Sequence, residues 1–123
     1  MALIEKNGEI REASCKEELT AMRESVEILG GKWKLHIMRY LANRPCEKNS
    51  FKKMQREIDG ISAKMLSKEL KDLEVNLLVT RTLLETKPVT VEYQITEYGR
   101  GVLPLTETLV SWGLKHRSKI RED

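Results

Sequence analysis

The sequence predicts a mainly helical α+β fold with the element order α-α-α-α-β-β-α. Apolar residues recur at helical spacing in five segments, and they alternate with polar residues in two segments between 77 and 95. Glycine and proline residues separate these segments. The chain has 123 residues, which fits a single domain over 1–123. We expect its ends, 1–13 and 116–123, to be flexible.

The helices have recognisable starts and stops. Ser14 and Glu17 form a capping-box pattern, which predicts the start of the first helix. Gly30 and Gly31 then end it, because glycine readily adopts the left-handed conformation found at helix ends. Thr96 is the expected cap of the last helix. The five helices are predicted at about 14–29, 32–42, 51–58, 62–74 and 97–118.

The helix predicted at 62–74 has two unlike faces. Its leucines recur at i, i+4 and i+7 and form one apolar stripe: Leu66, Leu70 and Leu73. Its lysines have the same spacing on roughly the opposite side, beside Ser67: Lys64, Lys68 and Lys71. A helix of this kind, buried along one side, can present lysine and serine to a DNA groove. Taken alone, such a basic face is also typical of a solvated surface helix.

The neighbouring segments favour the DNA-binding interpretation. A helix at 51–58, a tight turn at 59–61 and the basic helix together form the arrangement of a helix-turn-helix. Two strands follow at 77–84 and 89–95, joined by a short basic turn. Such a hairpin is the wing of a winged helix, so the sequence predicts a winged helix-turn-helix.

Three blocks carry a resemblance to a known family: LGGKWK at 29–34, GISAKML at 60–66 and VEY at 91–93. In this order and spacing the chain resembles the HxlR-type winged helix-turn-helix regulators over about residues 20–112. The resemblance implies a prokaryotic, homodimeric transcription factor that binds inverted-repeat operators. It also implies that the first and last helices form the dimer interface, here with Leu19, Met22, Leu105, Leu109 and Trp112.

The chain departs from the family pattern at three places. Many members carry a cysteine where this chain has Thr20, and Cys15 lies five residues upstream. Thiol sensing by the family mechanism is therefore not expected. The loop at 46–50 is about three residues longer than usual. A basic residue often precedes the VEY block, whereas this chain has Thr90 there, and Lys87 is the nearest cation of the wing.

DNA binding needs cations for phosphates and polar or apolar side chains for base edges. Residues on the exposed face of the basic helix are the predicted base contacts: Ala63, Lys64, Ser67 and Lys68. The predicted phosphate contacts lie on this helix, on the preceding helices and on the wing: Lys32, Lys34, Lys52, Lys53, Arg56, Ser62, Lys71 and Lys87. For each of these residues alone, a solvated surface side chain is the alternative.

The sequence argues against other classes of function. It contains no nucleophile–base pair, phosphate-binding glycine loop or metal-ligand spacing, so we expect no enzyme activity, metal or cofactor. The remaining alternative is a winged-helix module that binds protein and not DNA. Tyr40 and Tyr98 are candidates for a cavity that binds a small-molecule effector. Amphipathic packing explains both tyrosines equally well.

The compartment and partners are predicted from composition. The net charge of +3 is weakly favourable for an anionic partner. No apolar run reaches the length of a membrane span, so no membrane partner is expected. Cys15 and Cys46 lack metal or redox spacing and are interpreted as reduced thiols of a cytoplasmic protein.

Overall fold

The computed structural model describes residues 2–44 and 48–122. The loop and thiol that the sequence predicted at Cys46 lie outside these residues. The chain forms two compact units that divide between Gly31 and Lys32. The single domain expected from the sequence stays a prediction.

The first unit begins with a β-hairpin. Strand β1 (Leu3–Lys6) pairs antiparallel with β2 (Glu9–Glu12), so that Lys6 faces Glu9 across a two-residue turn. Asn7 and Gly8 form that turn with φ angles of 54° and 80°. Asparagine and glycine tolerate positive φ, which the turn types favoured in two-residue hairpins require. The sequence did not predict this hairpin, and the flexibility expected for 1–13 stays a prediction.

Helix α1 (Cys15–Leu29) completes this unit, and its N-terminal cap confirms the predicted capping box. The Ser14 hydroxyl accepts the Glu17 N–H at 3.2 Å, and the Glu17 carboxylate accepts the Ser14 N–H at 3.0 Å. At the other end Gly30 has extended φ and ψ angles, and a β-carbon there would collide with the Val26 carbonyl. Gly31 has a φ of 90°, so it is this second glycine that needs the positive-φ region.

The described residues of the second unit, 32–44 and 48–122, form four α-helices, one hairpin and one 3₁₀ turn. In chain order these are α2 (Lys34–Ala42), α3 (Phe51–Glu57), α4 (Ala63–Val75), β3 (Val79–Leu84), β4 (Thr90–Ile95), the 3₁₀ turn Gly99–Val102 and α5 (Leu103–Arg121). The two strands are antiparallel, with Val79 opposite Ile95 and Leu84 opposite Thr90. The Tyr93 N–H also donates to the Asn49 carbonyl at 2.8 Å and joins the segment before α3 to the hairpin.

The core of this unit is aliphatic and lies among α2, α3, α4 and the start of β3. Its most deeply buried large apolar side chains are Ile37, Met38, Leu41, Met54, Ile58, Leu66, Leu70, Leu73 and Val79. The predicted stripe on the second helix is therefore confirmed at Ile37 and Leu41. Trp33, the third member, is only half-buried, and its ring stands edge-on to His36.

The last helix differs from its prediction at both ends. The Thr96 hydroxyl accepts the Gly99 N–H at 2.7 Å and so caps the 3₁₀ turn rather than α5. The α-helix itself starts at Leu103, with Pro104 in its first turn, where a missing N–H leaves no hydrogen bond unmade. At the other end α5 continues to Arg121, so most of the tail expected to be flexible is helical.

Candidate nucleic-acid interface

Helices α3 and α4 meet at a short turn that local chemistry fixes. Ile58 ends α3, and Gly60 has a φ of 84°, which strongly favours glycine. Ile61 is buried beyond the turn, and the Ser62 hydroxyl accepts the Met65 N–H at 3.1 Å as the N-cap of α4. The predicted helix-turn-helix is therefore present, with α4 as its second helix.

Helix α3 is also tied to α2. The Tyr40 hydroxyl donates to the Glu57 carboxylate at 2.7 Å, and the Arg44 guanidinium lies 3.3 Å from the same carboxylate. Arg44 in turn stacks over the Tyr40 ring, 4.1 Å from its centroid. These contacts join the first helix of the motif to the core helix α2.

The two faces of α4 separate as the sequence predicted. Its leucine stripe is at most 1% exposed: Leu66, Leu70 and Leu73. Its lysines and Ser67 are exposed: Lys64, Lys68 and Lys71. Burying the leucines fixes the rotation of the helix about its axis. The basic face is thereby held toward solvent.

All four predicted base contacts lie on the exposed side of α4: Ala63, Lys64, Ser67 and Lys68. The Lys68 ammonium lies 3.5 Å from the Glu69 carboxylate and 4.0 Å from that of Asp72, yet its side chain remains 66% exposed. No ion pair involves Lys64 among the described residues. Among the described residues Lys71 likewise has no ion pair, so the face offers two cations without an ion-pair partner and one, Lys68, that is loosely paired.

Most predicted phosphate contacts are also on the surface. Exposed positions are Lys32, Lys52, Arg56, Ser62, Lys71 and Lys87, and Lys53 is half-buried. The Lys32 ammonium sits over the Trp33 ring, 4.8 Å from its centroid. Lys87 lies in the turn of the wing, where the Thr86 hydroxyl donates to the Pro88 carbonyl at 2.7 Å. Binding to DNA by any of these residues stays a prediction.

The structure corrects the prediction that Lys34 is a phosphate contact. Its side chain is only 12% exposed, and its ammonium lies 2.8 Å from the Glu69 carboxylate and 3.4 Å from Asp72. The hydrogen bond with Glu69 raises the pKa of Lys34 above its usual range, although burial opposes the shift. This ammonium is directed into an ion pair between α2 and α4, so it is not placed to meet a phosphate.

Sequence reasoning missed two charged residues, one on α4 and one on the wing. Glu69 is buried on α4. Helical spacing could have predicted this burial, since Glu69 lies three residues after Leu66 and therefore on the apolar side. Arg81 alternates along β3 on the same face as Val79 and Leu83. Only Val79 is buried, because β3 leaves the core after its first residue, and Arg81 is an exposed cation of the wing.

A groove of about 390 Å³ lies between α2 and α5. Leu35, Leu109 and Val110 supply apolar walls, while His36 and Arg39 supply polar groups. Tyr40 lines this groove, and its role in binding an effector stays a prediction. Tyr98 is 71% exposed and does not line it, which corrects the other half of that prediction.

Both predicted dimer helices expose apolar side chains. On α1, Leu19, Met22 and Val26 are 60–64% exposed, and no residue of this helix is buried. On α5, Leu105, Leu109 and Trp112 are also exposed, and the Trp112 ring stacks on His116. An exposed apolar stripe on a helix is typical of an interaction site.

Residues 2–44 and 48–122 contain no group of three or more histidine, cysteine or carboxylate side chains arranged to hold a metal ion. In the same residues no helix combines the length and the apolar composition needed to cross a bilayer.

Comparison with known proteins identifies similar chains. The model of the HxlR-like helix-turn-helix family matches residues 28–121. The HTH-type transcriptional regulator BH0655 of Halalkalibacterium halodurans is 34% identical over 119 residues, which cover 96% of this chain and 99% of that protein. YtcD of Bacillus subtilis, also an HTH-type transcriptional regulator, is 30% identical over 84% of this chain and 79% of its own length.

Two solved structures show the same fold. The crystal structure of YtcD matches with a TM-score of 0.72 at 31% identity, over 79% of this chain and 96% of that one. The redox regulator HypR in its reduced form matches with a TM-score of 0.73 at 28% identity, over 81% of this chain and 96% of that one.

Proposed function

The chain belongs to the HxlR-like helix-turn-helix family, and from this membership we propose that it is a sequence-specific DNA-binding transcriptional regulator without a catalytic step. One observation supports the proposal most directly. The leucine stripe of α4 is buried, and the opposite face presents three lysines and a serine to solvent. We propose that α4 enters the major groove of DNA, as second helices of this motif do. The proposed compartment is the prokaryotic cytoplasm.

The residues of the surface divide into two roles. Base edges are read by the N-terminal half of α4, through Ala63, Lys64, Ser67 and Lys68. The phosphates are held by cations and one hydroxyl around it: Lys32, Lys52, Lys53, Arg56, Ser62, Lys71 and Lys87. Phosphate contacts position the protein, whereas base contacts discriminate among sequences. Lys34 is left out of the phosphate set because of its ion pair with Glu69.

The active form is a homodimer on an inverted-repeat operator. The exposed apolar faces of α1 and α5 support this, because each leaves more apolar surface in water than a helix of a folded monomer usually does. A two-fold dimer presents two copies of α4 and therefore needs two half-sites related by the same symmetry. The interface residues of this proposal are Leu19, Met22, Leu105, Leu109 and Trp112.

A small-molecule effector is the third part of the proposal, and the groove between α2 and α5 is its site. Arg39 and His36 are suited to a polar or anionic group, and Leu35 is suited to an apolar body. Leu109 borders the same groove and belongs to the proposed interface. Occupation of the groove would therefore act on the dimer.

The experiment first selects, from a random library, the DNA duplexes that the wild-type protein binds. A duplex enriched in this way is called the selected duplex. Lys64→Ala/Lys68→Ala then removes two cations spaced i, i+4 on α4. The control Lys115→Ala/Lys119→Ala removes two cations with the same spacing from α5. At about 1–3 kcal/mol per contact, the first variant should bind at least about 30-fold more weakly.

Equal weakening by both variants would show that only net charge matters, and would contradict the assignment to α4. If no duplex is enriched over the starting library, the winged-helix module that binds protein becomes the better interpretation.

A further inference from the structure

Four charged groups form a cluster between α2 and α4, which we call the α2–α4 charge cluster: Lys34, Lys68, Glu69 and Asp72. An inner pair joins Lys34 to Glu69 at 2.8 Å, with side chains 12% and 7% exposed. An outer pair joins Lys68 to Asp72 at 4.0 Å, with side chains 66% and 44% exposed. The cluster thus runs from the core to the proposed DNA-binding face.

The two pairs share their carboxylates. One oxygen of Glu69 lies 2.8 Å from the Lys34 ammonium, and the other lies 3.5 Å from the Lys68 ammonium. The Asp72 carboxylate lies 3.4 Å from Lys34 and 4.0 Å from Lys68. In each case Lys34 is the closer cation. Two cations and two anions give the cluster no net charge.

Removing Lys34 would change this balance. Glu69 would become a buried carboxylate without its main counterion, a strongly unfavourable arrangement. Lys68 would be the remaining cation of the cluster, and its four-carbon stem is flexible enough to move the ammonium inward by the short distance needed. The ammonium would then lie between two carboxylates and no longer be free to point at DNA.

We propose that Lys34 is a positioning residue for DNA binding, because it neutralises Glu69 and Asp72 and so leaves the Lys68 ammonium free to contact DNA. This inference rests on the proposed function in that Lys68 is taken as a DNA contact. Lys34 itself touches no DNA in this mechanism. Its effect on affinity is transmitted through the charge of the cluster.

The test compares a substitution that gives the cluster a net charge with a double substitution that returns the net charge to zero. Lys34→Met leaves the cluster with a net charge of −1. Lys34→Met/Glu69→Gln returns it to zero, with Lys68 and Asp72 as the remaining pair. The matched control is Lys32→Met, since Lys32 is exposed two residues earlier and belongs to the phosphate set. Thermal unfolding followed by circular dichroism checks that each variant is folded.

The first readout is affinity for the selected duplex. Lys34→Met should weaken binding by no more than Lys68→Ala does, about 5- to 150-fold. Lys34→Met/Glu69→Gln should bind like the wild type. Lys32→Met/Glu69→Gln should stay as weak as Lys32→Met, because a direct phosphate contact is not restored by removing a distant carboxylate.

The second readout needs no DNA. Trace acetylation with acetic anhydride, measured by mass spectrometry, compares Lys68 with Lys64 in the same molecule. In Lys34→Met the carboxylates of Glu69 and Asp72 should shield the Lys68 nitrogen, so its labelling relative to Lys64 should fall. The labelling should recover in Lys34→Met/Glu69→Gln. Unchanged labelling in a folded Lys34→Met protein would overturn the inference.

The outcomes separate the inference from the proposed function. If the double variant binds as weakly as Lys34→Met, then Lys34 contacts DNA directly and the inference is wrong. If Lys34→Met does not fold, the double variant decides alone, and wild-type affinity supports the inference. If even the wild type enriches no duplex but the labelling changes as expected, the cluster acts as described and the proposed function fails.

Discussion

Helices α1 and α4 are alike in sequence pattern and opposite in environment. Each follows a serine whose hydroxyl accepts a backbone N–H, at 3.2 Å for Ser14 and 3.1 Å for Ser62. Each carries apolar residues along one face. The leucine stripe of α4 is almost completely buried, whereas no residue of α1 is buried. Periodicity thus identifies a helix and its apolar face but does not identify what covers that face.

The apolar faces of α1 and α4 therefore contribute to stability in different ways. Burial of the α4 stripe contributes to the folding of the second unit, since side chains removed from water supply most of the favourable free energy. The α1 face contributes nothing comparable within one chain, because Leu19, Met22 and Val26 remain mostly in water. In the proposed dimer a second copy covers this face, so its contribution depends on protein concentration.

The largest expected effect comes from comparing a leucine-to-alanine substitution on α4 with the same substitution on α1. Leu70→Ala should lower the free energy of unfolding by about 2–5 kcal/mol, because it leaves a cavity in the core. Leu19→Ala should lower it by less than about 0.5 kcal/mol in dilute protein, where an exposed side chain loses few contacts. Urea unfolding measures both. Raising the protein concentration should enlarge only the Leu19→Ala effect, and equal effects in dilute protein would contradict the comparison.

A charged residue in the α1 face should separate the protomers. Met22→Glu places a carboxylate where the proposed interface is apolar, so sedimentation should show monomers at concentrations where the wild type is dimeric. Ala21→Glu adds the same group about a quarter-turn away, outside the stripe, and should remain dimeric. A Met22→Glu protein that sediments as a dimer would remove α1 from the interface.

The cap of α1 should depend on pH in a way that the cap of α4 does not. Glu17 accepts two hydrogen bonds from Arg11, at 2.7 and 2.8 Å, and one from the Ser14 N–H. Those from Arg11 contribute most to lowering the pKa of Glu17 from 4.5 to about 2. At the corresponding position α4 has Met65, which does not titrate.

A carboxylate whose pKa falls on folding stabilises the native state above its unfolded pKa. The stability that Glu17 supplies should therefore be complete above about pH 4.5 and be lost as the pH falls toward 2. NMR titration of the Glu17 side-chain carbon should give a midpoint near 2. Arg11→Gln should move the midpoint upward. A wild-type midpoint in the ordinary range would show that the Arg11 contact does not hold in solution.

The smallest expected effect is at Cys15, the exposed first residue of α1. An exposed cysteine at the start of a helix can react with oxidants. Cys15→Ser should nevertheless leave duplex affinity unchanged, both before and after treatment with diamide. Loss of an oxidant response in this variant would overturn the expectation.

Local signals predicted most of the fold and the exposed basic face of α4. The capping box at Ser14 and the leucine stripe of α4 are short-range patterns, and both are confirmed. The N-terminal hairpin was missed because its strands are short and mostly exposed, although Asn7 and Gly8 mark its turn. The partner of Lys34 was missed because Glu69 lies 35 residues away, and such pairing is decided by tertiary packing.

We propose that α4 reads bases while the wing holds phosphates, and one measurement tests this division directly. The affinity of Lys68→Ala and of Lys87→Ala is measured against salt concentration on the selected duplex and on a scrambled duplex. Lys68→Ala should lose about 1–3 kcal/mol on the selected duplex and relax the preference at one base pair. Lys87→Ala should weaken both duplexes alike and lower the salt slope by about one unit per protomer. If Lys68→Ala weakens both duplexes equally, this lysine is a phosphate contact and the claim that it reads a base is wrong.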